Sequence, residues 1–186
     1  MLHLASPGVP DLYQGDELWS FALVDPDNRQ PVDFDERTRK LDEVERGFDG
    51  GREERQAFLR ELVRRPEDGR LKLHVIRAAL DARRKWGAAF RSRVYQPLIA
   101  EGPEAGRVVA FARGEGASQL IASVSRFHTT PVSWSATALP LAAAAPRQWF
   151  CALSGESVAM EGDGRLPLDQ VFGILPVALL VSQPIA

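Results

Sequence analysis

Two rhythms of apolar residues divide the chain. Between Asp35 and Trp86 charges are dense and apolar residues recur every three or four positions, the period of a helix with one buried face. From Val94 onward short apolar runs alternate with Gly, Pro and Ser punctuation, as in a protein built of short strands. The pattern predicts a helical part over residues 1–92 and a β part over residues 93–186.

In the first part Leu41, Val44 and Phe48 fall at i, i+3 and i+7, and Gly47, Gly50 and Gly51 supply a stop. Phe58, Leu59, Leu62 and Val63 stripe a second helix, which ends near Arg65 because Pro66 pushes its predecessor out of the helical region. Asp68 is placed to cap a third, "GRLKLHVIRAALDARRKW". Its Leu73, Ile76 and Leu80 are expected on one buried face, and Arg83, Arg84 and Lys85 lie where cations favour the helix dipole.

In the second part "RVVAFA" (Arg107 to Ala112) and "QLIASVS" (Gln119 to Ser125) flank the glycine-containing "RGEGAS" and predict a hairpin. "VSWSAT", "RQWFCAL", "ESVAM" and "PVALLVS" are further strand candidates, and "ATALPLAAAAP" (Ala136 to Pro146) reads as an interstrand loop or edge. Five to seven short strands at this spacing predict an antiparallel β-sandwich.

Composition narrows the partners. A chain of 186 residues with 23 Lys and Arg against 25 Asp and Glu has no electrostatic footprint for nucleic acid or an anionic membrane surface. No apolar run is long enough to span a bilayer, and Met1 to Ala5 lacks the basic and apolar regions of a secretory leader. The single cysteine, Cys151, sits among Trp149, Phe150 and Leu153 and is expected to be a buried small hydrophobe, so a cytoplasmic setting is expected. His3, His74 and His128 show no metal-ligand spacing, so no metal site is expected, and neither a P-loop nor a dinucleotide fingerprint calls for a cofactor.

Candidate chemistry concentrates between Asp11 and Asp33. Asp11, Asp16, Glu17, Asp25, Asp27 and Asp33 are interleaved there with Tyr13, Trp19, Phe21, Asn28 and Arg29. Carboxylates act as acids, bases or hydroxyl acceptors and exposed aromatics offer flat faces to sugar rings, so the mixture suits a carbohydrate site. "VPDLY" reads as a short strand, followed by an elaborate polar stretch and the third helix. Strand, long loop and helix form a βα unit, and in (β/α) barrels the loops after the strands build the active site.

The motifs then narrow the reading. "PGVPDLYQGDEL" (Pro7 to Leu18) resembles the segment around the eighth barrel strand of the alpha-amylase superfamily, and "LVDPDNRQPVDF" (Leu23 to Phe34) is similar to the maltooligosyltrehalose synthase family within it. "LKLHVIRAALDARR" resembles that family's eighth barrel helix, and "FGILPVALLV" the closing strand of its C-terminal β-domain. Two positions depart from the family pattern: Gln30 stands where a second arginine is usual, and Cys151 where an aspartate is usual.

The resemblance implies an α+β chain: the last βα unit of a (β/α)8 barrel with inserted helices over 1–92, then an antiparallel β-sandwich C-terminal domain over 93–186. It implies an isomerase, an intramolecular transglucosylase that converts the reducing-end α-1,4 linkage of a maltooligosaccharide into the α,α-1,1 linkage of trehalose. Substrate contacts then fall to Tyr13, Gln14, Asp16, Glu17, Asp25, Asp27, Asn28 and Arg29 as hydroxyl-binding or loop-positioning groups. The catalytic nucleophile and general acid of a retaining site, about 5 Å apart, come from earlier barrel strands in that family, so this piece alone is expected to be inactive. A barrel of typically ~250 residues cannot fit in this chain, and the expected partners are the missing N-terminal barrel portion or a second copy. The alternatives are a non-catalytic carbohydrate-binding module with Trp134 and Trp149 as stacking platforms, or a piece of another hydrolase of the superfamily.

Overall fold

The computed structural model describes residues 1–21, 24, 29–127 and 132–182. It is an α+β structure with six helices and eight strands among the described residues: α1 (Leu2–Ala5), α2 (Phe34–Phe48), α3 (Arg52–Arg64), α4 (Arg70–Lys85), α5 (Gly87–Arg91), β1 (Tyr95–Leu98), β2 (Val108–Glu115), β3 (Ser118–Ser125), β4 (Ala138–Pro140), β5 (Gln148–Cys151), β6 (Ser157–Ala159), β7 (Arg165–Pro167), α6 (Leu168–Val171) and β8 (Val177–Val181). Packing separates two compact units, one of Met1–Gly8 with Ala78–Ala186 and one of Val9–Arg77. No described helix is long and apolar enough to cross a membrane.

In the unit Val9–Arg77 the helices follow the expected signals. The Asp33 carboxylate accepts from the Glu36 N–H at 2.8 Å and caps α2, while Glu54 reaches back to the Gly51 N–H at the start of α3. Pro66 opens a single 3₁₀ turn to Asp68, and the Asp68 carboxylate accepts from the Arg70 N–H at 2.8 Å, so the third helix begins where its cap was read. Leu18, Val44 and Leu73 form one core cluster of this unit, with Leu41 and Phe58 packed against them, and Leu59 and Leu62 are fully buried as well. Arg70 adds an ionic junction, pairing with Asp68 at 2.8 Å, Glu61 at 2.7 Å and Glu43 at 3.7 Å. Burial pulls its guanidinium down, but Glu61 and Asp68 outweigh that and hold it above the usual arginine range.

Three local readings are corrected. Val9 to Tyr13 is not a strand: every described strand lies from Tyr95 onward, in the other unit, so this stretch has no ladder partner. Without one, its N–H and C=O groups gain nothing from full extension. Leu73 and Ile76 of the predicted face are buried but Leu80 is 41 % exposed, and α4 also buries His74, Val75, Ala78, Ala79 and Ala82. At about 100° per residue Ala78, Ala79 and Ala82 lie roughly 100–200° around the helix from Leu80, so the second half of α4 buries small alanines that a search for leucines overlooks. "VSWSAT" is a turn rather than a strand, with Thr137 N–H bonded to Trp134 O at 3.1 Å and Ala136 at φ 59°. The strand begins immediately after it, as β4.

The other unit is built on a six-stranded sheet, ordered β1-β2-β3-β8-β5-β6, with β4 and β7 forming a second sheet. All pairings are antiparallel. The predicted hairpin is present and longer than its apolar runs: β2 and β3 pair from Val108↔Ser125 to Glu115↔Ser118 around a two-residue loop at Gly116 and Ala117. Gly114 makes this register possible. Its φ is +85°, and a Cβ there would stand 2.1 Å from the Ser118 carbonyl oxygen. Leu120, Ile121, Leu179 and Leu180 fill the centre of the core, and α5 packs on β2 and β3. At one edge β1 carries Pro97 opposite Phe111, and at the other β6 is three residues long.

Arg113, on β2, is the buried charge of this unit, 3 % exposed. Its Nη1 donates to the carbonyls of Ala5 (3.2 Å) and Ser6 (3.3 Å), and its Nη2 to those of Phe90 and Ser92 (3.0 Å). Those carbonyls lie at the C-terminal ends of α1 and α5, where helices leave acceptors unfilled and favour a cation. Arg83 grips the same segment from Leu4 O (2.7 Å) to Gly8 O (2.9 Å). Burial, then the neighbouring charge of Arg83, pull the Arg113 guanidinium below the usual arginine range.

Candidate functional site

The segment that carried the sequence reading folds into a tight turn within the unit Val9–Arg77. Tyr13 O accepts from Asp16 N–H at 3.1 Å, and Gly15 O accepts from Leu18 N–H at 3.3 Å. Gln14 and Gly15 both take the left-handed conformation, at φ 53° and 74°. Glycine adopts it freely, but glutamine does so at a cost of about 1 kcal/mol, which the contacts around the turn must offset.

Those contacts come from two cations on helices. Arg37 of α2 donates to Gly15 O from both Nε (3.2 Å) and Nη2 (2.7 Å), while its Nη1 donates to Asp33 O at 2.8 Å. The same guanidinium lies 3.7 Å from Glu17 Oε2. Lys72 of α4 donates to Asp16 Oδ1 at 2.9 Å and to Leu18 O at 3.0 Å, and its ammonium sits 5.3 Å from the centre of the Trp19 ring. Trp19 Nε1–H donates to Pro66 O at 2.6 Å. Leu18, between these polar contacts, is buried against Val44 and Leu73.

The structure thus brings Tyr13, Gln14, Asp16 and Glu17 together in one turn. Tyr13 and Gln14 are exposed, and Asp16 and Glu17 are half-buried beside their cations. Arg29 is exposed, whereas Asp25, Asp27 and Asn28 lie outside the described residues, as does His128. Arg37, Lys72 and the Pro66 carbonyl escaped the sequence reading. Both cations sit in helices crowded with other Arg and Lys, and no spacing singles them out.

The chemistry of the turn suits binding. Its carboxylates face fixed cations and offer oxygens that can accept from hydroxyls, and exposed aromatic surface stands beside them. Among the described residues no group of three or more His, Cys, Asp or Glu is placed to hold a metal ion. In the other unit a cleft of ≈ 430 Å³ is lined by Ala88, Arg91, Ser92, Gly114, Glu115 and Ser118, none of them a residue picked out by sequence. Trp149 is buried (2 % exposed) and Trp134 packs on Phe172 with ring centres 4.9 Å apart. These two tryptophans are committed to packing and offer no paired stacking platform.

Comparison with known proteins shows what this chain is similar to. The chain is similar over almost its whole length to one segment of much longer, trehalose-forming synthases. In particular it is 36 % identical over 183 residues to proteins named "Putative maltooligosyl trehalose synthase" from two Mycobacterium tuberculosis strains, CDC 1551 / Oshkosh and H37Rv. The match covers 97 % of this chain and 20 % of each relative, so the chain spans about a fifth of their length. Among solved structures it is similar to maltooligosyltrehalose synthase from Arthrobacter ramosus and to a mutant of that enzyme, with a TM-score of 0.73 and 31 % identity over 97 % of this chain and 21 % of theirs. No family model matches the chain. The resemblance read from the motifs is therefore borne out by whole-chain similarity.

Proposed function

We propose that the chain is the C-terminal portion of a maltooligosyltrehalose synthase acting in the cytoplasm. Residues 1–92 correspond in this reading to the end of the catalytic (β/α)8 barrel, with α4 as its eighth helix, and residues 93–186 to the C-terminal β-sandwich domain. The whole enzyme is an intramolecular transglucosylase: a carboxylate nucleophile takes the glucosyl chain as a covalent intermediate, and a second carboxyl group serves as acid and then base. Both groups belong to the portion outside this chain. The observation that carries the reading is similarity along 97 % of the chain, at 36 % identity in sequence and TM-score 0.73 in structure.

The chain's own contribution is retention of substrate. Intramolecular transfer requires that the cleaved glucose stay bound while the new linkage forms, and a rim of hydroxyl acceptors holds it there. Tyr13, Gln14, Asp16, Glu17, Asp25, Asp27, Asn28 and Arg29 fill this role, as direct contacts or as loop-positioning groups. Support comes from the Arg37 and Lys72 bonds, which hold the Tyr13–Glu17 turn with its acceptors in place.

The test is a chimera in which this chain replaces the matching fifth of the Mycobacterium tuberculosis relative. Supplied with maltopentaose, the chimera should convert it to a product without a reducing end, while the 186-residue chain alone should leave it unchanged. Turnover by the chain alone, or a folded chimera that fails where the parent relative succeeds, would overturn the reading.

A further inference from the structure

We propose that Trp19 is a one-sided stacking platform for a glucosyl ring of the bound maltooligosaccharide, an assignment that rests on the reading above. Trp19 is 47 % exposed, yet its ring is held at two points. Its Nε1–H donates to Pro66 O at 2.6 Å, and the Lys72 ammonium lies 5.3 Å from its centre. Lys72 is itself fixed by Asp16 Oδ1 and Leu18 O, and Leu18 is anchored in the core. A large apolar surface left open to water and yet immobilised gives up binding free energy unless a ligand covers it. Immobilised in advance, it binds without the entropic cost of ordering a free side chain.

The chemistry beside the ring identifies the ligand class. Lys72 occupies one face, which leaves the other for a flat apolar group. Asp16, bonded to Lys72 through Oδ1 alone, stands three residues away and keeps a second carboxylate oxygen outside that bond. Glu17 follows it, 3.7 Å from Arg37. A pyranose presents the complement, an apolar C–H face ringed by hydroxyl donors. An apolar peptide would cover the ring but bring no donor to the Asp16 oxygen that Lys72 leaves unfilled.

Spectroscopy on the full chain reads the platform directly, apart from any turnover. The indole N–H resonance of Trp19, assigned by its loss in Trp19→Phe, should shift and saturate as maltopentaose is added, while that of buried Trp149 stays in place. Trp19→Phe, which keeps an aromatic face but loses the Pro66 bond, should bind within roughly threefold of wild type, and Trp19→Ala should bind roughly tenfold more weakly. A Trp19 resonance that does not move, or equal affinity in folded Trp19→Ala, would overturn the inference, and the wild-type titration alone decides if that variant fails to fold. Turnover by the chimera with an unmoved indole would reject only the platform, whereas a shifting indole with an inactive folded chimera would reject only the enzymatic reading.

Discussion

Arg37 holds the carbonyl of Gly15 with two donors at once, Nε at 3.2 Å and Nη2 at 2.7 Å. The pair spans 22 residues of sequence and closes the Tyr13–Trp19 turn onto α2. A lysine in place of Arg37 offers a single mobile ammonium and cannot reproduce the fork. Arg37→Lys should therefore lower stability by about 1–2 kcal/mol and speed amide exchange at Asp16 and Leu18, measurable by urea denaturation and hydrogen exchange.

Gly15 is the other half of that relationship. A Cβ on Gly15 would lie 2.4 Å from Arg37 Nη2, and its φ of 74° disfavours any side chain. Gly15→Ala should cost about 2–3 kcal/mol, the sum of backbone strain and a displaced guanidinium. Gly106→Ala, where nothing lies within 4 Å, should stay within about 0.5 kcal/mol in the same denaturation series.

Much of this organisation is legible in sequence, for physical reasons that differ by element. Helices α2 and α3 announce themselves because breakers stand at their ends: Gly50 and Gly51 before α3, Pro66 after it. The β2–β3 hairpin reads from its turn glycine. Strands β1 and β7 do not, because four and three residues with a proline in each leave no alternation to detect. In the candidate site the acidic and aromatic members are visible as a cluster, but the cations that fix them lie 22 and 56 residues away, on helices whose other charges look the same.

Leu18 ties the turn to its unit from below. It is 6 % exposed in a cluster with Val44 and Leu73, and Leu18→Ala should destabilise by about 2–5 kcal/mol through lost burial and an unfilled cavity. Calorimetric unfolding reads the cost. Loss of the Lys72–Leu18 bond is not expected with it, since that bond goes to the backbone.

Arg113 makes a sharper test of the other unit. Replacing it by leucine removes a buried cation but strips donors from four carbonyls at once, so Arg113→Leu should cost about 3 kcal/mol or more. Arg113→Lys should recover little, because one ammonium cannot reach carbonyls from Ala5, Ser6, Phe90 and Ser92 together. Chemical denaturation of the three proteins in parallel checks the ranking.

The two ends of the six-stranded sheet bear on how the chain survives in a crowded solution. Pro97 removes a donor from the outer strand at one end, and β6 offers only Ser157–Ala159 at the other. A strand from a second molecule finds an interrupted ladder on one side and too short a template on the other. Among the described residues the sheet therefore has six strands, and neither of its edges is a good template for growth along the hydrogen-bonding direction.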